Sequence, residues 1–200
     1  MTSRRIILAI EAAVAGGSLS LHDGNTEVAA WVGEDNSLRA ESLVARISEL
    51  LMSAEMDRHH LSAMVVSAGP GSFTGIRIGF ATALGLKNSL DIPLSSVSVV
   101  EAMASQRNLT GIAAVPMGRD TACAQRFKDG GPIDEPFTTP VMALSGLDGE
   151  GTLLVHDSLA RSVAGPRTTN YGRNLAAALA KMAYLRPEAT TSPIFLSRTT

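Results

Sequence analysis

Apolar positions come in short runs near the start of the chain. Ile6-Ile7-Leu8-Ala9-Ile10 is β-branched and uninterrupted, Ser18-Leu19-Ser20-Leu21 alternates, and Val28-Ala29-Ala30-Trp31-Val32 follows a turn at Asp23-Gly24-Asn25. Three strands joined by short turns predict an antiparallel meander. Between Arg39 and Met52 the period changes. Leu43, Val44, Ile47, Leu50 and Leu51 make one stripe, with Arg46 and Glu49 elsewhere, so the spacing predicts an amphipathic helix. Leu61 to Val66 then reads as a buried strand, Ile76 to Leu90 as a helix, Pro93 to Val97 as a strand and Val99 to Gln106 as a helix. Three antiparallel strands followed by strand-helix-strand units is the order of a ribonuclease-H-like or actin-like half, an α/β fold.

From Gly111 the texture changes. Ile112 to Val115, Thr121 to Phe127 and Leu153 to Val155 read as strands, while prolines and glycines crowd the stretch between Lys128 and Pro166. Tyr171 to Leu185 reads as a helix opened by Asn170 and stopped before Pro187, with Leu175, Leu179 and Met182 on one side. These breaks divide the chain into a subdomain over 1–106 and a smaller one over 107–200, with helix 171–185 a candidate to pack back on the first.

The candidate chemistry sits between the strand at 61–66 and the helix at 76–90, in Ser67-Ala68-Gly69-Pro70-Gly71-Ser72-Phe73-Thr74-Gly75-Ile76-Arg77-Ile78-Gly79. A glycine-rich turn opening a helix offers backbone N–H groups at a positive helix end, so Gly69, Gly71, Ser72, Thr74 and Gly75 form a candidate anion-binding turn. The spacing is neither standard phosphate loop. Gly75 is followed by Ile76 and Arg77 rather than Lys and Ser/Thr, and the dinucleotide fingerprint would need glycine where Thr74 stands. The competing reading is a tight strand-to-helix connection with no ligand. Arg77 falls in a helical first turn, where the dipole disfavours a cation, so an anion at the turn or a partner's carboxylate is expected to use it. Ile76, Ile78, Phe80, Leu84, Leu86 and Leu90 cover more of that helix than one sheet face can bury, which leaves either a helix sandwiched within the fold or one shared with another subunit; Gly75, Gly79 and Ala83 add a stripe of small residues.

The Gly-Pro-Gly-Ser-Phe-Thr-Gly-Ile-Arg-Ile-Gly motif, the helix after it, Ile92-Pro93-Leu94 and Val97-Ser98-Val99-Val100-Glu101-Ala102 together resemble the TsaB (YeaZ) family, once labelled glycoprotease-like and grouped with peptidase M22. The likeness is dense over 6–104, patchy afterwards, and returns at Pro193-Ile194-Phe195-Leu196-Ser197. It implies an actin-like ATPase fold of two subdomains, the second reduced. It also implies a non-catalytic partner of the TsaD ligase that makes threonylcarbamoyl-adenosine in tRNA. In this family two N-terminal helices build a bundle with TsaD or with a second copy. That places Leu43, Ile47 and Leu50 of one helix, and Ile76, Arg77, Phe80, Ala83, Leu84 and Lys87 of the other, on a pairing surface. The further partner implied is the ATPase TsaE, with ATP/ADP and Mg belonging to the wider complex, no cofactor of this chain, and tRNA reached only through the complex. Arg119 aligns with the family's Asp-Ala-Arg-Arg stretch, although Pro116-Met117-Gly118 replaces the residues before it.

One departure bears on nucleotide chemistry. The family's first turn carries Asp-Thr-Ser-Thr, whereas this chain has Glu11-Ala12-Ala13-Val14, without hydroxyls for phosphate or Mg²⁺. Glu11 reads as an acid at a strand end facing solvent or a neighbouring subunit. The rival enzyme reading, an actin-like ATPase or kinase, is weakened accordingly. A protease or metal enzyme needs spaced His or Cys ligands, but His59 and His60 are adjacent in a polar loop, and His156-Asp157 has no nucleophile identifiable beside it. Ser72 lacks a Gly-x-Ser-x-Gly elbow. No catalytic or metal-binding residue is therefore expected.

Composition narrows the setting. A 45% hydrophobic share with 18% charged residues in 200 argues for a folded core, and a net charge of -2 lacks the basic excess of a direct nucleic-acid binder. The lone Cys123 cannot form an internal disulfide and suits a reducing compartment. The apolar run at Ile6 to Ile10 is too short for a signal core or a membrane span, so the cytoplasm is the expected location.

Overall fold

The structure, a computed structural model, describes residues 5–34, 40–147 and 151–185. The first apolar run forms β1 (Ile6–Glu11), which pairs antiparallel with β2 (Ser18–Asp23), and β2 in turn with β3 (Thr26–Val32). The meander is followed by α1 (Ala40–Ser53), β4 (Leu61–Gly69), α2 (Phe73–Leu90) and β5 (Leu94–Ser98). β4 runs parallel to β1 and β5 parallel to β4, giving a sheet of order β3-β2-β1-β4-β5. One face of it is sealed by α1 and α2. Leu43, Ile47, Leu50 and Leu51 pack there against Ile6, Leu8, Ile10, Leu19 and Leu21. Each such leucine contributes roughly 1.5–3 kcal/mol by leaving water.

α3 (Val99–Gln106) leads into the second sheet. Its strands are β6 (Gly111–Pro116), β7 (Thr121–Lys128), β8 (Gly131–Pro132), β9 (Phe137–Pro140), β10 (Thr152–His156) and, after α4 (Asp157–Ala160), β11 (Thr168–Gly172). They are ordered β11-β10-β6-β7-β8, with β9 also on β7. The chain ends its described course in α5 (Leu175–Leu185), which returns to the first sheet. Ala176, Leu179, Ala180, Met182 and Ala183 pack on Ile7, Ala9, Val65 and Val97, while Leu175 reaches the core shared by Val99, Met103 and Leu154.

Two helix starts differ from the sequence reading. α2 begins at Phe73 instead of Ile76, because the Ser72 hydroxyl accepts the Gly75 N–H at 3.3 Å and caps the helix there. The last helix begins at Leu175, not Tyr171. Residues 168–172 instead pair with β10 as β11, and Asn174 caps α5 by accepting the Ala177 N–H at 3.2 Å. Asn170, expected as that cap, turns back to the Gly172 N–H and to Asp157. The Pro193–Ser197 stretch and Arg39 lie outside the described residues.

β2 shows why α5 comes back. Ser18 and Ser20 alternate with Leu19 and Leu21, a pattern that ordinarily leaves the polar face in water, yet all four are buried. The Ser18 hydroxyl accepts the Ala176 N–H at 3.0 Å, satisfying a donor at the start of α5. The Ser20 hydroxyl donates to Glu27 at 3.0 Å.

Candidate functional site

A cleft of about 590 Å³ lies between the two sheets' loops. Its walls are residues 12–16 after β1, Ser72 to Gly75 with Ile78 at the start of α2, and Pro116 to Gly118 between β6 and β7. The glycine motif is explained first by packing. A Cβ on Gly75 would run into the Ala12 carbonyl oxygen, and one on Gly71 into that of Ala13, so the β1–β2 turn rests directly on the turn before α2. The Ser72 N–H donates to the Ala13 carbonyl at 2.6 Å and locks the two turns together.

Glu11 completes this arrangement in a way the sequence reading missed. It does not face solvent or a neighbouring subunit; it is 1% exposed, and its Oε1 accepts the N–H groups of Ala13 at 2.6 Å and Val14 at 2.9 Å. The turn has folded over the end of its own strand. Burial pushes the carboxyl up to about 7, against the two N–H bonds that pull it down. Five amides at this end of the cleft are thus already used. Ala13 and Val14 serve Glu11, Gly17 serves the Val14 carbonyl, Ser72 serves Ala13, and Gly75 serves the Ser72 hydroxyl.

Of the five residues expected in an anion-binding turn, Gly69 and Gly71 are buried, Gly75 is half-buried, and Ser72 and Thr74 are exposed. Gly69 ends β4 and donates to the Ser67 hydroxyl, away from the cleft wall. Among the described residues, no charged side chain lines the cleft. Arg119 is exposed one residue beyond Gly118. Arg77 is exposed and lies over the Phe73 ring, 3.8 Å from its centroid. That cation–π stack accounts for a cation in the first turns of a helix without an anion.

The outer surface of α1 and α2 is the second feature. Leu43, Ile47, Leu50, Ile76 and Ala83, expected on a pairing surface, are all buried inside this chain, on the inner faces of the two helices. Arg77, Leu84 and Lys87 are exposed, and Phe80 is half-buried. The exposed apolar residues of the two helices are Val44 at 56%, Met52 at 64%, Phe73 at 50% and Leu84 at 41%. Val44 falls on the helical stripe by sequence spacing but at its edge. Met52 and Phe73 were legible only as apolar residues that the inner stripe did not need.

The histidines serve structure. His59 and His60 are exposed in a 3-10 turn, where the Asp57 carboxylate accepts the His59 N–H and lies 2.9 Å from His60 Nδ1; the N–H contact holds Asp57 below the usual carboxylate range. His156 is buried, with Nδ1 2.9 Å from the Ser158 hydroxyl, a neighbour the sequence reading overlooked; Asp157 bonds Asn170 instead. Cys123 is buried, and desolvation pushes its thiol up to about 12, which makes it unreactive. Among the described residues, no group of three His, Cys, Asp or Glu could hold a metal. No helix among them is long and apolar enough to cross a membrane.

A meander with two crossovers, a second sheet behind α3 and a cleft between their loops define a ribonuclease-H-like, actin-like ATPase fold. Solved structures share it. YeaZ from Pseudomonas aeruginosa superimposes with a TM-score of 0.71 at 18% identity, over 96% of this chain and 100% of that one. The activator of the 2-hydroxyisocaproyl-CoA dehydratase from Clostridium difficile, with bound ADPNP, gives 0.53 at 10% identity over 90% and 94%. In sequence, the tRNA threonylcarbamoyladenosine biosynthesis protein TsaB of Bacillus subtilis is 39% identical over 87 residues, 43% of this chain and 37% of that protein. Residues 38–125 match the family described as TsaD, tRNA N6-adenosine threonylcarbamoyltransferase. These likenesses support assignment of the chain to the TsaB/YeaZ family. It spans well under half the length of the curated relatives it matches first.

Proposed function

We propose that this chain takes part in threonylcarbamoyl-adenosine formation in tRNA as a non-catalytic partner that docks on, and activates, a TsaD-type ligase. The observation that carries this reading is the outer surface of α1 and α2, where Val44, Met52, Phe73 and Leu84 remain exposed after the inner faces have filled the core. A second observation supports it. In the cleft that would hold phosphates in an ATPase of this fold, the amides of Ala13 and Val14 are bound to Glu11 and that of Gly75 to the Ser72 hydroxyl. Under this reading ATP/ADP, Mg and the TsaE-type ATPase belong to the assembly, and a second copy of this chain can occupy the same surface in isolation. The net charge of -2 gives little counterion release toward a polyanion, so tRNA is met through the ligase.

The test is a reconstituted reaction with size measurement. Omitting this chain should suppress threonylcarbamoyl transfer while the adenylate still forms, and mixing it with the ligase should give a complex of the two. Full transfer without it would refute the reading.

A further inference from the structure

His22 is the one buried side chain whose two ring nitrogens both lack a hydrogen-bond partner among the described residues. It is fully buried on β2, on the face that also carries Ser18 and Ser20 and that α5 covers. The charged groups that bear on it are Glu27 from β3 and Lys181 from α5, while β1 places Ile7 opposite. Glu27 Oε2 stands 3.7 Å from His22 Nε2, beyond hydrogen-bond reach.

Glu27 reaches this face because of one extra residue. In the β2–β3 ladder Leu21 pairs with Ala29 but His22 pairs with Glu27, so Val28 is bulged out and the alternation of β3 inverts at that point. The carboxylate then meets α5. Its Oε2 accepts from the Ser20 hydroxyl at 3.0 Å and from Asn174 Nδ2 at 3.1 Å. Asn174 is the residue whose Oδ1 caps α5 through the Ala177 N–H. The carboxylate that braces the start of α5, chiefly through Oε2 with Oε1 3.5 Å from the same Asn174 nitrogen, therefore also lies 3.7 Å from a buried imidazole with no hydrogen bond of its own.

We propose that His22 is a proton-operated latch on α5. When the imidazole is neutral, Glu27 holds Asn174 and the first turn of α5 is docked. When it is protonated, Nε2–H becomes a charged donor that draws Glu27 Oε2 away from Asn174, and the first turn loosens. Burial is the largest cause holding His22 below its ordinary value, so protonation belongs to pH below 6.5. Lys181 opposes it as well, and because Lys181 rides on α5, loosening of the helix carries that charge away and favours the protonated state further. The two events reinforce each other.

The experiment is nuclear magnetic resonance on the full chain from pH 7.5 to 5. It would follow the His22 ring protons, the Asn174 side-chain amide, and hydrogen exchange at Ala176 and Ala177 corrected for intrinsic rates. The expected result is a His22 titration with the Asn174 amide shifting at the same midpoint and protection at Ala177 falling at least tenfold. A flat Ala177 profile, or an Asn174 amide that ignores the His22 midpoint, overturns the latch. Glu27→Gln leaves every core side chain in place. It should lower the His22 midpoint and abolish the step at Ala177; a step that persists in it would show that Glu27 is not the link.

Discussion

The Oε1 atom of Glu11 lies 2.6 Å from the backbone nitrogen of Ala13, so the first strand ends in a carboxyl that its own turn has wrapped. An internal carboxyl occupies two backbone donors, those of Ala13 and Val14, that an incoming phosphate could otherwise use. Mg-ATP is therefore expected to bind the isolated chain with a Kd of about 0.1 mM or weaker, corresponding to roughly -5.5 kcal/mol. Calorimetry giving low-micromolar affinity would restore the ATPase-like alternative.

The same carboxyl should leave a signature in stability. Burial raises Glu11 from 4.5 to about 7, so the folded state holds a proton that the unfolded chain releases. Its contribution is fully present below pH 4.5 and is lost as pH rises toward and through about 7. Between pH 5 and 7.5 the loss should be about 2–3 kcal/mol. Glu11→Gln keeps the shape without the proton. The stability difference between it and the unaltered chain, measured by denaturant unfolding at both pH values, should shift by that amount; subtracting the two cancels the opposite acid-side trend of His22.

Inner and outer residues of the two helices should separate cleanly. Leu43→Ala empties a fully buried site and is expected to cost about 2–5 kcal/mol of stability. Leu84→Glu sits on the surface, should unfold within about 0.5 kcal/mol of the unaltered chain, and should weaken docking to the ligase by about 2–5 kcal/mol. A folded Leu84→Glu variant with unchanged affinity, read by calorimetry, would remove α2 from the pairing surface.

Two glycines of α2 make a matched pair. Gly75→Ala drives a methyl into the Ala12 carbonyl and should destabilise the chain by about 2 kcal/mol or more, because backbone on both sides must move. At Gly85 nothing lies within 4 Å of an added Cβ, and Gly85→Ala should stabilise by about 0.5–1 kcal/mol through helix propensity. Thermal or denaturant melts of the two variants decide it.

Period and punctuation made much of this fold readable. The uninterrupted run of β1, the stripe of α1 and the glycine turn each declare themselves locally. What stayed hidden depends on what lies across the gap. Ser18 and Ser20 look solvent-facing until α5 is known to cover them. Asn170 reads as the cap of a helix starting at Tyr171 because it is a favoured capping residue, yet the backbone of Thr168 to Gly172 pairs with β10. The helix stripe at 76–90 showed that α2 was apolar all round but not which half filled its own core. Glu11 was read as exposed because carboxylates seldom lie buried, and the two amides that hold it come from residues that carry no polar side chain.

The return of α5 has a kinetic meaning. Ile7, Ala9, Val65 and Val97 are all made before residues 175–185, and among the described residues α5 supplies most of the side chains that cover them in this cluster, beside Ala102 and Tyr171. During synthesis the first sheet therefore waits, with an oily back, for roughly eighty further residues at about 5–20 residues per second. Closing that surface is a contact between distant parts of the chain, the slow kind. The N-terminal half is thus expected to be the aggregation-prone species on the ribosome, and the arrival of α5 is what ends the exposure.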